Sequence, residues 1–292
     1  MTVRKAVRYL MEKQKQAGGD EGPTKGWFGE RMYSQGICTT ALAEAYGMKI
    51  MATRTRGAAQ KGLDYILRYQ PNHGGFTYEA SPEAYAQEKD KQLAEGSWKD
   101  TSVTCFVMQA IKGGISCGLD VPNVAKQRAE AFLVGSLNQD GSTNYTAGSP
   151  GGSVSMTAAA LTVRLLLGRD RKSSDCVSQA TWLLKNDHLK VAREVEGELQ
   201  GEGEQQTRAA PRANFYSIYY LSLSMFNMQG KLWKQWNKAY SRPLCAFQVK
   251  DGPERGSWPH DKSSYGGSGG RVYSTAMACL ALEVPFRYSL TE

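Results

Sequence analysis

In YGGSGGR, residues 265–271, four glycines lead into Arg271, with Tyr273 just beyond and His260 a short way before. A glycine-rich turn that opens a helix exposes backbone N–H groups to an anion, and a guanidinium beside it adds a bidentate contact. A diphosphate or an acidic sugar is the ligand such a set would take. The stretch is no Walker motif, since no Gly-Lys-Ser/Thr follows, and no dinucleotide fingerprint, since no strand pattern precedes it. A plain connection between two helices is the preferred reading, because SPGGS at 149–153 occupies the equivalent place upstream. Tyr273, Arg271 and His260 are also the residue types that a polysaccharide lyase or hydrolase would bring together for proton transfer.

WKDTSVT, residues 98–104, holds a carboxylate at the start of a helical pattern. Asp100 is either an acid poised for catalysis or an N-cap that accepts backbone N–H bonds, and the cap is preferred. Aromatic residues cluster near the starts of the small-residue helices: Tyr33, Trp98, Tyr216, Tyr219, Tyr220 and Tyr273. Their rings could stack on a sugar or line a lipid pocket. For Trp27, Trp98 and Trp258 the preferred role is packing between neighbouring segments. The candidate ligand-binding residues are thus Tyr33, Trp98, Tyr216, Arg271 and Tyr273, and the weaker catalytic candidates are Asp100, His260 and Tyr273. Three isolated histidines and six single cysteines, without zinc-ligand spacing, point to no metal site and no cofactor. Reduced, buried thiols are expected.

The elements that hold these residues repeat. KAVRYLMEKQ pairs with GWFGERMYSQGICTTALAEAYG, and KGLDYILRYQ pairs with GSWKDTSVTCFVMQAIKGG. QRAEAFLVGSLNQDGS pairs with GGSVSMTAAALTVRLLLG, SQATWLLKN with ANFYSIYYLSLSMFNMQG, and NKAYSRPLCAFQ with the C-terminal stretch. The first helix of each pair carries charge on one face, as at Arg4, Lys5 and Arg8, which makes it an outer helix. The second is nearly uncharged and rich in small side chains, which lets helices approach closely in an inner layer. Polar insertions interrupt the pattern near 77–95 and 188–212, and in repeat proteins such insertions gather on one face. No low-complexity linker divides the chain, so one domain over 1–292 is expected.

This pattern of outer helix, Gln, Gly-aromatic or Gly-Ser loop and Tyr/Thr/Ala-led inner helix resembles the prenyltransferase and squalene-oxidase type repeat. That repeat is the one found in the terpenoid cyclase and protein prenyltransferase α/α-toroid superfamily, and the chain resembles most its bacterial members built of this repeat. The resemblance runs from about Val3 to Tyr288. It implies an all-α toroid of about five to six helical hairpins, with inner and outer rings around a central cavity. The superfamily's chemistry does not follow. The DxDD acid of the cyclases is absent, as are the Asp/Cys/His zinc set of the prenyltransferases and the GCGEQ thioester stretch; GEGEQQ at 201 lacks the cysteine.

The charge of +8 comes from 36 basic residues dispersed among 28 acidic ones, without a dense basic run, so nucleic acid is not an expected partner. No stretch of about 18 apolar residues predicts a membrane span. The opening MTVRKAVRYLMEKQKQ has no apolar centre or cleavage site of a signal peptide, and would equally suit a domain cut from a longer chain. Compartment stays open. The leading expectation is a non-catalytic scaffold that binds an anionic or carbohydrate ligand, or a protein partner, at the cavity end where the inner helices begin. A carbohydrate lyase or hydrolase and a divergent prenyl-diphosphate enzyme are the alternatives.

Overall fold

Charged-face helices alternate with uncharged ones along the computed structural model, which describes residues 2–83, 100–146, 149, 151–185, 214–260 and 264–287. Among these residues the chain is all-α, with ten helices and no strand; a lone antiparallel bridge joins Asp100 and Thr146. The chain divides into two compact units. The first, Met1–Leu137 with Asn144–Pro150, holds α1 (Thr2–Gly18), α2 (Met32–Gly47), α3 (Ala52–Arg68), α4 (Thr101–Ser116) and α5 (Asn123–Gly135). The second, Asn138–Thr143 with Gly151–Glu292, holds α6 (Val154–Leu166), α7 (Ser174–Lys185), α8 (Phe215–Met228), α9 (Gly230–Phe247) and α10 (Ser264–Arg287).

In the first unit α2 packs against α3 and α4, α4 also meets α3 and α5, and α1 lies on α2 and α3. The uncharged helices α2 and α4 approach closely because Gly36 faces the Val107 backbone, where an added methyl would stand 3.2 Å from Cα. In the second unit α8 is surrounded by α6, α7, α9 and α10, and every residue from Phe215 to Asn227 is buried.

Each described loop is fastened to the inner helix it precedes by the same device. A loop N–H donates to a side-chain oxygen of that helix, in its first turn for Phe28 to Gln35 (3.2 Å), Phe76 to Thr104 (2.8 Å) and Thr143 to Thr157 (2.9 Å), and in the first turn after the break at Gly270 for Trp258 to Thr275 (3.0 Å). The loops also grip the outer helix that follows. Gly26, Gly74 and Gly141 have φ of 93, 83 and 91°, in the left-handed region that glycine alone adopts at no cost. A methyl on Gly26 would lie 1.9 Å from the Lys61 carbonyl oxygen of α3. On Gly74 it would lie 1.9 Å from the Arg128 carbonyl oxygen of α5, and on Gly141 2.7 Å from the Ser178 carbonyl oxygen of α7. The recurring loop glycine is therefore a seat for the next outer helix.

Two features depart from the sequence reading. The glycine-rich 265–271 segment, expected as a connecting loop, is wound into helix from Ser264 and broken at Gly270 (φ 59°, ψ −155°). The inner helix α6 also carries a buried cation: Arg164 donates to Gln179 Oε1 at 2.7 Å and is paired with Asp175, which Arg169 reaches at 2.7 Å. All six cysteines are unpaired thiols, and burial pushes Cys38 up to about 11 and raises Cys105 further. No helix of the described residues is long and apolar enough to cross a membrane.

Candidate functional site

Three inner helices open on a side-chain cap, which satisfies N–H groups that the helix itself leaves unpaired. Asp100 caps α4, accepting from Ser102 N at 2.7 Å and Val103 N at 3.0 Å. Ser153 caps α6 through Met156 N, and Asn214 caps α8 through the N–H groups of Tyr216 and Ser217. The cap assigned to Asp100 from its sequence position is thus present, and it is the root of a larger cluster in the first unit.

Asp100 is 3% exposed. Its Oδ1 takes a third bond, from the Ser102 hydroxyl, and Ser102 Oγ in turn accepts the Tyr33 phenol of α2 at 2.5 Å. A donor chain runs from phenol to hydroxyl to carboxylate, and it fixes the Tyr33 proton inward. A phenol oxygen is an acceptor as well as a donor. Asp100 Oδ2 is buried and has no hydrogen-bond partner among the described residues. A buried carboxylate oxygen left without a donor is costly, and the partial positive charge of the α4 N-terminus offsets only part of that. Aromatic faces surround the chain: the Tyr33 ring lies 5.6 Å from Tyr78 and 5.3 Å from Phe106, and the Tyr78 hydroxyl meets that of Tyr145.

Backbone bonds hold these side chains in place. Met32 N–H donates to Tyr78 O at 2.9 Å, Asp100 N–H to Phe76 O at 3.0 Å, and Thr101 N–H to Tyr145 O at 2.9 Å. The segments that carry Tyr78 and Tyr145 are thereby tied to the first turns of α2 and α4. The arrangement offers phenol oxygens, backed by a buried carboxylate, beside aromatic rings, a combination suited to hydroxyl-rich rings.

The other sequence candidates fall in different places. Tyr216 lies in the second unit, buried at the start of α8, with its ring 4.9 Å from Tyr220, which stands 5.1 Å from Tyr219. Also in the second unit, Ser155 and Ser217, near the starts of α6 and α8, share a hydrogen bond at 2.6 Å. Arg271 is engaged by Glu254 at 2.6 Å and Ser257 at 3.1 Å, which ties the preceding loop to α10. Tyr273 is half-buried in α10, and His260 is exposed. Trp98 and most of both insertions lie outside the described residues. Among the residues singled out in advance, Tyr216, Tyr219 and Tyr220 form an aromatic cluster, while Tyr33 and Asp100 are joined in one hydrogen-bond network. Ser102, Tyr78 and Tyr145 complete it and were not foreseen; Ser102 had one usable signal, since it holds in DTSVT the helix position that Tyr33 holds in RMYSQ.

Among the described residues no three His, Cys, Asp or Glu side chains gather as a metal set would. A scan against protein-family models finds no match to this chain, and a search of curated proteins returns no relative.

Proposed function

We propose that the chain is a non-catalytic scaffold of the α/α-toroid type, related to the prenyltransferase and squalene-oxidase repeats. It binds a neutral, hydroxyl-rich ligand of the carbohydrate class where α2 and α4 begin. The observation that carries this reading is the Tyr33–Ser102–Asp100 chain, which orients the Tyr33 phenol beside the Tyr78 and Tyr145 rings. A sugar hydroxyl would donate to the Tyr33 oxygen, and the sugar ring would lie against Tyr78 or Tyr145. An anionic ligand is disfavoured, because the approaching charge would meet Asp100 while the Arg271 guanidinium is held by Glu254.

The test is a panel of neutral and acidic oligosaccharides, inorganic phosphate and diphosphate, read by isothermal titration. A neutral oligosaccharide should bind, and Tyr33→Phe should weaken it roughly tenfold, which corresponds to one hydrogen bond of about 1.4 kcal/mol. Binding restricted to diphosphate, or a Tyr33→Phe variant that binds as well as the parent, would remove the assignment. Release of new reducing or unsaturated ends from the same panel would replace the scaffold with the lyase or hydrolase reading.

A further inference from the structure

A serine hydroxyl has one proton to give, and at Ser102 it is already spent. Asp100 Oδ1 accepts the N–H of Ser102 at 2.7 Å and that of Val103 at 3.0 Å, and a carboxyl oxygen that takes two donors in this way carries no proton of its own. The Ser102 hydroxyl, which also meets Oδ1, therefore donates to it. Only lone pairs are left on Ser102 Oγ for its other neighbour, so the Tyr33 phenol must be the donor there, at 2.5 Å. Ser102 is 0% and Asp100 3% exposed, which keeps solvent from both and holds the order of the chain.

The second unit makes a similar junction without that direction. Ser155 stands two residues after its cap, Ser153, as Ser102 stands two after Asp100, and its hydroxyl meets that of Ser217 at 2.6 Å. The caps of the two helices joined there are a serine and an asparagine, Asn214, and either hydroxyl can be the donor. The acidic cap on α4 is what makes the Tyr33 junction run one way.

Direction matters to whatever meets the Tyr33 oxygen. A phenol whose proton is free to turn gives and takes hydrogen bonds alike, and so accommodates a hydroxyl, an ether or an ester oxygen. The Tyr33 proton is committed to Ser102, so a ligand atom at this oxygen has to bring its own. A free sugar hydroxyl does. An O-methyl ether or O-acyl ester has only lone pairs to offer and would set them against those of the phenol. Contact with the Tyr78 ring, 5.6 Å from that of Tyr33, does not depend on the hydroxyl proton and is common to both kinds of ligand.

We infer that Ser102 is a positioning residue that sets the specificity of this site: acting through Tyr33, it selects glycans whose contacted hydroxyl is free and rejects those that are O-methylated or O-acylated there. The inference rests on the carbohydrate reading given above. Isothermal titration with cellopentaose, xylopentaose and mannopentaose, each beside its O-methylated form, tests it on the parent, Ser102→Ala and Tyr33→Phe. At least one free sugar should bind the parent, and its methylated form should bind at least roughly tenfold more weakly. Ser102→Ala releases the Tyr33 proton toward the ligand, so the preference for the free sugar should disappear. Tyr33→Phe removes the oxygen and should lose the preference by weakening the free sugar alone. The bulk of the methyl groups cannot imitate this, because steric exclusion would persist in both variants. Should Ser102→Ala not fold by circular dichroism, Tyr33→Phe carries the test by itself. A parent that binds a free sugar and its methylated form equally, or folded variants that keep the parent's preference, would overturn the inference and leave the carbohydrate reading standing. A parent that binds none of the three free sugars would overturn both.

Discussion

Arg164 stands in a helix lined otherwise by small and apolar side chains, and Asp175 answers its charge. Removing one partner of a buried ion pair leaves the other uncompensated, so Asp175→Ala should cost about 3–5 kcal/mol in chemical denaturation. Arg164→Met added to it should recover most of that loss, because the orphaned cation is then gone. Burial pushes the Asp175 carboxyl up, but hydrogen bonds from Ser173, Arg164 and Arg169 outweigh it and hold the group well below the usual carboxylate range. As pH falls, the unfolded chain takes up this proton first. The contribution of Asp175 is therefore complete above about pH 4 and drains away below it, and Asp175→Asn should flatten the acid limb of a stability-against-pH curve. At this scale the sequence was readable where a residue's role depends on its near neighbours. Asp100 reads as a cap because it directly precedes a helical run. The meeting of Tyr78 with Tyr145 was not readable, since both lie in irregular segments 67 residues apart. Arg164 was equally silent, as its partner sits on the following outer helix.

Loops in this protein act on two helices at once, and the two grips are separable. Gly26→Ala meets both a left-handed φ and the Lys61 carbonyl, and should cost roughly 2–5 kcal/mol, whereas Gly256→Ala meets only the φ and should cost about 1–2 kcal/mol. Equal losses in melting experiments would mean that the seat on α3 contributes nothing. The inner-helix grip is tested by Thr104→Val and Thr157→Val, each of which leaves a buried loop N–H without its acceptor and should cost about 1–3 kcal/mol. Trp258 is buried and donates through Nε1 to Leu244 O at 2.7 Å, so Trp258→Ala should cost about 3–5 kcal/mol. The alternation of outer and inner helices was legible because charge on one face, or its near absence, is written directly in the residues. The winding of 265–271 was not, because glycine-rich sequence is a poor helix former and neighbouring packing overrode propensity there.

Within each unit the helices differ in how many neighbours enclose them, and local stability should follow that order. α8 has helices on every described side and no exposed residue between Phe215 and Asn227, so its amides should exchange slowest in the second unit. α1, with Val3 and Tyr9 bare, should be the first helix of its unit to exchange. Hydrogen exchange read by mass spectrometry checks both, and protection in α1 equal to that in α4 would contradict the ordering. The glycine seat also bears on how such a gene can change. Each hairpin brings a socket in its loop and a plug in its outer helix, so a hairpin duplicated whole inserts itself without altering either neighbour. A duplication or loss that cuts through a hairpin strands a glycine turn on one side and a bare helix on the other. Viable descendants of this chain should therefore differ in length by complete helix pairs.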